Sequence, residues 1–150
     1  IEALKNPRRK VLKTFLTEYE NNWDAVHMAV SYKDTEDTKL ENVKRLKSGT
    51  TSSAYMINKI FYDKLIEDFE MAIIKMEDET AKIHKFNLEK YGEKKKIKAT
   101  NNALDQHWFK LQKESKWFLF EPNFGYQGGD AGRSSTMNNS LEGYKNLISI

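Results

Sequence analysis

Apolar residues recur at helical spacing in two long stretches of the chain. The first stretch has its apolar positions three or four residues apart, at Leu12, Phe15, Leu16, Tyr19, Trp23 and Val26. It follows Asn6-Pro7, which suits an N-cap and a first helical position. The second places one apolar residue in every fourth position, at Ile57, Phe61, Leu65, Phe69 and Ile73. The spacing predicts a helix from Pro7 through Val26, and a long helix from Ala54 to about Tyr91 that Gly92 ends.

Between these helices the pattern is polar or short. Residues 33–39 are polar and interrupt the periodicity. Leu40, Val43 and Leu46 follow at intervals of three, which predicts a short helical piece. The small residues of 48–53 then read as a loop that supplies N-cap candidates for the long helix.

Near the C-terminal end the pattern changes to strands. Residues 107–112 and 116–121 are rich in aromatic side chains, and Pro122 closes the second run because it cannot donate to a strand ladder. A three-residue connection at 113–115 predicts an antiparallel hairpin. Directly opposed residues share a face, so this register sets His107 opposite Glu121.

An imidazole facing a carboxylate suits acid–base chemistry, because the carboxylate orients the ring and stabilises the imidazolium. The alternative is a cross-strand polar pair with no chemistry of its own. A slip of one residue in the register would separate the two side chains.

Composition narrows the class of protein. The 150 residues suit a single domain, and the order of helices followed by a small antiparallel sheet indicates an α+β fold. No apolar run is long enough to cross a bilayer. The first residue is Ile rather than Met, which is typical of a processed chain or a fragment of a longer protein.

Charge and residue usage argue against metal ions, cofactors and nucleic acids as partners. With no cysteine and no clustered carboxylates around His27, His84 or His107, we expect no metal and no cofactor. The glycine-rich segment 125–132 lacks the lysine of a phosphate-binding loop. A net charge of +3 does not indicate a nucleic-acid binder, although Arg8, Arg9, Lys10 and the lysines at 94–96 leave RNA contact as a weaker alternative.

The motif WFLFEPNFG at 117–125, preceded by His107, resembles the C-terminal half of YopT-type papain-like cysteine proteases, a family of bacterial effectors and toxin domains. Those proteins carry F-D-P-N-x-G after an apolar strand, and Phe120, Pro122, Asn123 and Gly125 match it. The resemblance implies a papain-like fold closed by a short helix at 140–150. It also implies that His107 is the general base and Glu121 the orienting acid, in place of the family's usual Asp.

The same resemblance places the nucleophile at the start of the long helix, where this chain has Thr51, Ser52 and Ser53 but no Cys. Ser52 and Ser53 are the candidates for the Cys position. A serine is a poorer nucleophile in a site built for a thiolate, because its hydroxyl needs a base at the moment of attack. Three alternatives remain: these residues are only N-caps, the Cys lies upstream of Ile1, or the whole domain is a pseudoenzyme that kept the scaffold for binding.

The resemblance therefore implies a hydrolase scaffold, acting on a peptide bond or a glutamine side chain of a partner protein, but without its nucleophile. The competing hypothesis is a non-catalytic protein-binding protein, such as an inhibitor, an immunity protein or a phage-type antagonist. Both expect another protein as partner and a cytoplasmic location, and the effector resemblance adds delivery into a host cell. The first hypothesis expects a hydroxyl from 50–53 beside His107; the second expects a conspicuous exposed apolar or charged patch.

Overall fold

A computed structural model describes residues 7–92 and 102–125, apart from the side chain of Ser52. The elements in chain order are α1 (Pro7–Tyr19), β1 (Ala25–Asp37), β2 (Val43–Ile57), α2 (Tyr62–Tyr91), α3 (Leu104–His107), α4 (Phe109–Glu114) and β3 (Trp117–Phe120). A 3-10 turn at Lys59–Phe61 leads into α2. The predicted helix at 140–150 lies outside the described residues. The chain is α+β, as predicted, but its sheet is mixed and two of its strands precede the long helix.

The sheet has three described strands, each paired with the other two, so that it closes on itself. β1 and β2 form a long antiparallel hairpin. β3 is parallel to β1, with Ala25 beside Trp117, and antiparallel to β2, with Val43 beside Phe120. All four side chains of β3 are buried, because helices cover the sheet on two sides.

Two apolar clusters hold the fold together. One joins the sheet to α2 and α4 and consists of Ala25, Val30, Leu46, Phe61, Leu65, Trp108, Leu111, Trp117 and Leu119. The other joins the sheet to α1 and consists of Phe15, Trp23, Val26, Val43, Phe118 and Phe120. Successive residues of β3 alternate between the clusters, as the period of two in a strand requires.

Two predicted helix boundaries and one predicted short helix are wrong, and all three lie in the β1–β2 hairpin. The first helix ends at Tyr19, and Val26 lies in β1 instead. Residues 43–46 and 54–57 belong to β2, so the long helix begins at Tyr62 rather than Ala54. The pairing of β1 with β2 shifts register four times. Val43 and Leu46, three residues apart, lie on opposite faces of β2, and each is buried in a different apolar cluster. Burial on both faces therefore imitates the spacing of a helix.

The C-terminal end of α2 agrees with the prediction. The helix ends at Tyr91, and Gly92 adopts a left-handed conformation with φ of 69°. Its N–H donates to the carbonyl oxygen of Leu88 at 3.0 Å, which is the usual closing bond of an αL cap.

The predicted hairpin over 107–121 is wrong. Residues 104–107 and 109–114 are helical, and only residues 117–120 form a strand. Trp108, Leu111, Gln112 and Ser115 are buried, at spacings of three, one and three, so the stretch follows a helical period and not an alternation. Its aromatic content imitated a strand. The register that set His107 opposite Glu121 therefore does not exist in the fold.

Candidate functional site

His107 lies at the end of α3 and faces α2 rather than Glu121. Its Nδ1 is 3.1 Å from Oδ1 of Asp68, and both side chains are about nine-tenths buried. The contact lacks the alignment of a hydrogen bond, and Oδ2 of Asp68 also has no hydrogen-bond partner. On the other edge of the ring, Nε2 lies 3.3 Å from Nζ of Lys75. A lysine ammonium can only donate, so Nε2 is the acceptor in this contact.

Asp68 and Lys75 are seven residues apart on α2, which puts both on one side of the helix. That spacing is visible in the sequence. Their meeting with His107 is not, because it depends on α3 packing across α2.

A groove of about 440 Å³ runs between α2 and the α3–α4 pair at this point. Charges of both signs line it: Lys64, Lys75, Lys110, Glu67, Asp68 and Glu114. Among the described residues, none of those lining it carries a hydroxyl or a thiol. The groove can therefore hold a charged segment and offers an imidazole, but its described lining supplies no hydroxyl or thiol nucleophile.

Glu121 lies just after β3 and belongs to a different set of contacts. The hydroxyl of Tyr32 donates to its Oε1, and Nζ of Lys44 is 2.9 Å from its Oε2. The hydrogen bond from Tyr32, followed by that from Lys44, lowers the pKa of the Glu121 carboxyl. The carboxylate is thus held on the sheet, where it joins β1 to β2.

The rest of the matched motif is also tied to the sheet. The peptide bond between Glu121 and Pro122 is cis, and the side-chain amide of Asn123 donates to the carbonyl oxygen of Val30 at 3.0 Å. The N–H of Phe124 donates to the carbonyl oxygen of Met28 at 2.7 Å. In this fold, the motif anchors the chain along β1.

The candidate nucleophiles lie in β2 and not at a helix start. Thr51, Ser52 and Ser53 fall between Thr50 and Ala54, where the pairing with β1 is irregular. Thr51 has φ of 70°, and its N–H donates to Oδ2 of Asp105 on α3 at 3.1 Å. The segment therefore borders α3. The described contacts of the His107 ring nitrogens are with Asp68 and Lys75.

His27 is a feature whose surroundings the sequence did not reveal. It lies on β1, is fully buried, and neither ring nitrogen has a hydrogen-bond partner among the described residues. The rings of Tyr55, Trp108 and Trp117 surround it at centroid distances of 5.7, 5.3 and 5.5 Å. Burial lowers the pKa of His27 to about 3, because the apolar surroundings disfavour the charged ring.

A row of exposed apolar side chains runs along α2. Six of them fall within an arc of about 120° on a helix of 3.6 residues per turn, and we call this row the α2 ridge. Its members are Tyr62, Ile66, Ile73, Ile74, Leu88 and Tyr91, and their exposed fractions run from 48% to 59%. Single exposed apolar residues are ordinary on a protein surface, but six on one side of one helix are not.

Comparison of the chain with protein-family models, with curated proteins and with solved structures finds no match. Within residues 7–92 and 102–125, no helix is long and apolar enough to cross a membrane. The same residues contain no group of three or more His, Cys, Asp or Glu side chains placed to hold a metal ion.

Proposed function

We propose that the chain is a non-catalytic protein-binding module that contacts a partner protein through the α2 ridge. The observation that carries the proposal is the ridge itself, where Ile66, Ile73 and Ile74 are each more than half exposed on one side of a long helix. Covering such side chains removes apolar surface from water, which is the main favourable term in most protein association. A helix that presents one apolar side to a complementary surface is a common mode of protein recognition.

The surroundings of His107 support a binding role over a catalytic one. Both of its ring nitrogens face charged groups of α2. Glu121 is engaged with Tyr32 and Lys44, so it does not serve as the carboxylate that orients His107. The groove beside His107 extends the binding surface with charges of both signs, which suits the polar rim of a protein interface.

Gel filtration of extracts from cells that express a tagged chain tests this function. We expect the parent chain to elute well above its monomer mass of 17.6 kDa. Ile66→Ala combined with Ile73→Ala should move it to the monomer position, because exposed side chains contribute to the interface and little to folding. Phe86→Ala is the matched control, since Phe86 is 55% exposed on nearly the opposite side of α2.

A parent chain that elutes as a monomer would contradict the proposal. So would a shift of equal size in the ridge variant and in the Phe86 control, since that would show no role for this side of α2.

A second candidate function, the papain-like hydrolase scaffold, is favoured by the contact between Asp68 and His107. A buried carboxylate beside an imidazole nitrogen is what a general base requires, whichever residue supplies the carboxylate. Under this hypothesis a nucleophile from 51–53, or from another part of the protein, completes the site.

Cysteine placed in turn at positions 51, 52 and 53 distinguishes the two functions. We expect ordinary thiol reactivity at all three, because the described contacts of the His107 ring nitrogens are with Asp68 and Lys75 on α2. A site that reacts much faster, and loses that rate when His107→Ala is added, would support the hydrolase instead.

A further inference from the structure

The charges along α2 are divided between its two halves. Residues 62–79 carry seven carboxylates and two lysines, whereas residues 80–91 carry three lysines and one carboxylate. A helix with this division is complementary to a second copy of itself running in the opposite direction. Parallel copies would instead place the acidic halves side by side.

The exposed apolar side chains of the α2 ridge are also divided between the two ends of the helix. Its apolar side chains lie in two groups, at 62–74 and at 88–91, separated by a more polar stretch that contains Glu77, Thr80 and His84. In an antiparallel pair centred near residue 77, Ile66 lies opposite Leu88 of the second copy, and Tyr62 lies opposite Tyr91. Each apolar group then covers the other, and the small Ala81 lies opposite Ile73.

From this charge and apolar complementarity we infer that the partner of the α2 ridge is a second copy of the chain, bound antiparallel through α2. The inference rests on the proposed function, since it names the occupant of the same surface. The pair is symmetric, so every contact occurs twice.

One charged contact makes the register testable. Glu67 and Lys85 lie on the same flank of the ridge, and both are exposed. In the antiparallel pair, Glu67 of one copy faces Lys85 of the second copy. Neither residue takes part in an ion pair with another described residue.

Sedimentation equilibrium on charge-reversed variants of the purified chain tests the inference. We expect Glu67→Lys and Lys85→Glu each to weaken self-association about three- to tenfold, because each change sets like charges against each other twice. The two changes together in one chain should restore the parent dissociation constant. Mixing the two singly changed chains should give a mixed dimer tighter than either chain alone, because opposite charges then meet at both contacts. Glu89→Lys is the control off the ridge and should leave association unchanged.

Three results would overturn the inference: a parent chain that stays monomeric, single variants that associate as well as the parent, or a mixture that shows no mixed dimer. The proposed function is tested separately, because it can hold when the inference of a second copy fails. If the purified chain is monomeric while the cell extract still shows a complex that depends on Ile66 and Ile73, the ridge binds a different protein.

Discussion

At the scale of single residues, His27 and Gly49 show what the closed sheet demands. His27 is enclosed by aromatic rings with no partner for either nitrogen. Gly49 is buried, and the side-chain amide of Gln112 bonds to its backbone twice. The amide oxygen accepts from the Gly49 N–H at 2.8 Å, and the amide nitrogen donates to the Gly49 carbonyl oxygen at 2.9 Å. The indole N–H of Trp108 donates to the same carbonyl oxygen. The sequence shows these residue types, but it does not show the buried surroundings that make each of them important for stability.

We expect His27 to make the protein sensitive to mild acid. The pKa of His27 is lowered to about 3 in the fold and is near 6.5 in the unfolded chain, so the unfolded state binds the proton first. The stability that the neutral ring contributes is complete above pH 6.5 and falls by up to about 1.4 kcal/mol per unit as the pH drops from 6.5 towards 3.

Urea unfolding of the parent and of His27→Phe at pH 7.5 and pH 5.5 measures this effect. Between pH 7.5 and pH 5.5, the free energy of unfolding of the parent should fall by about 1 kcal/mol more than that of the variant. Equal losses in both proteins would show that His27 does not govern the acid response.

Gly49→Ala should destabilise the fold by about 1–3 kcal/mol, the usual range for overfilling a packed core. A Cβ at this position would lie 2.8 Å from Cγ2 of Val30 and 2.9 Å from Cδ1 of Leu46, both in the buried core. Thermal unfolding compares this variant with Gly125→Ala, whose new Cβ would have no atom within 4 Å. Equal melting temperatures for the two variants would contradict the close packing at Gly49.

At the scale of elements, prediction succeeded where one period ran without interruption. The long stripe of apolar residues and Gly92 together predicted the body and the end of α2. It failed in β2, which is buried on both faces, and at the start of α4, where Trp108 and Phe109 imitated a strand. In both places contacts with the rest of the fold decide the local structure. β2 pairs with both other strands despite its bulges, and Trp108 is buried at the junction of α3 and α4 rather than on a strand.

Gly92→Ala should lower the free energy of unfolding by about 0.5–1 kcal/mol, and the backbone amides in the last turn of α2 should exchange hydrogen faster. The cause is the left-handed φ of 69°, since a Cβ at Gly92 would meet no atom within 4 Å. Gly92→Asn is the matched variant, because Asn tolerates this conformation better and should cost less. A larger cost for Asn than for Ala would show that the cap conformation is not the cause.

At the scale of the whole molecule, the candidate catalytic residues and the α2 ridge occupy different places. Glu121 serves the sheet, His107 packs against α2, and Thr51 lies in a bulge of β2 that borders α3. Among the described residues, α2 carries six exposed apolar side chains along one side. The sequence contained the apolar positions of this surface, but which of them stay exposed depends on where the sheet covers α2.

The central claim is that the α2 ridge is an occupied interface, and site-specific photo-crosslinking in cells tests it most directly. A benzophenone amino acid replaces Ile66 in one variant and Glu89, an exposed residue about 140° around the same helix, in another. We expect a discrete protein adduct from position 66 and none from position 89, with an adduct of twice the chain mass if the partner is a second copy. The absence of any adduct at position 66, or the same adducts from both positions, would contradict it.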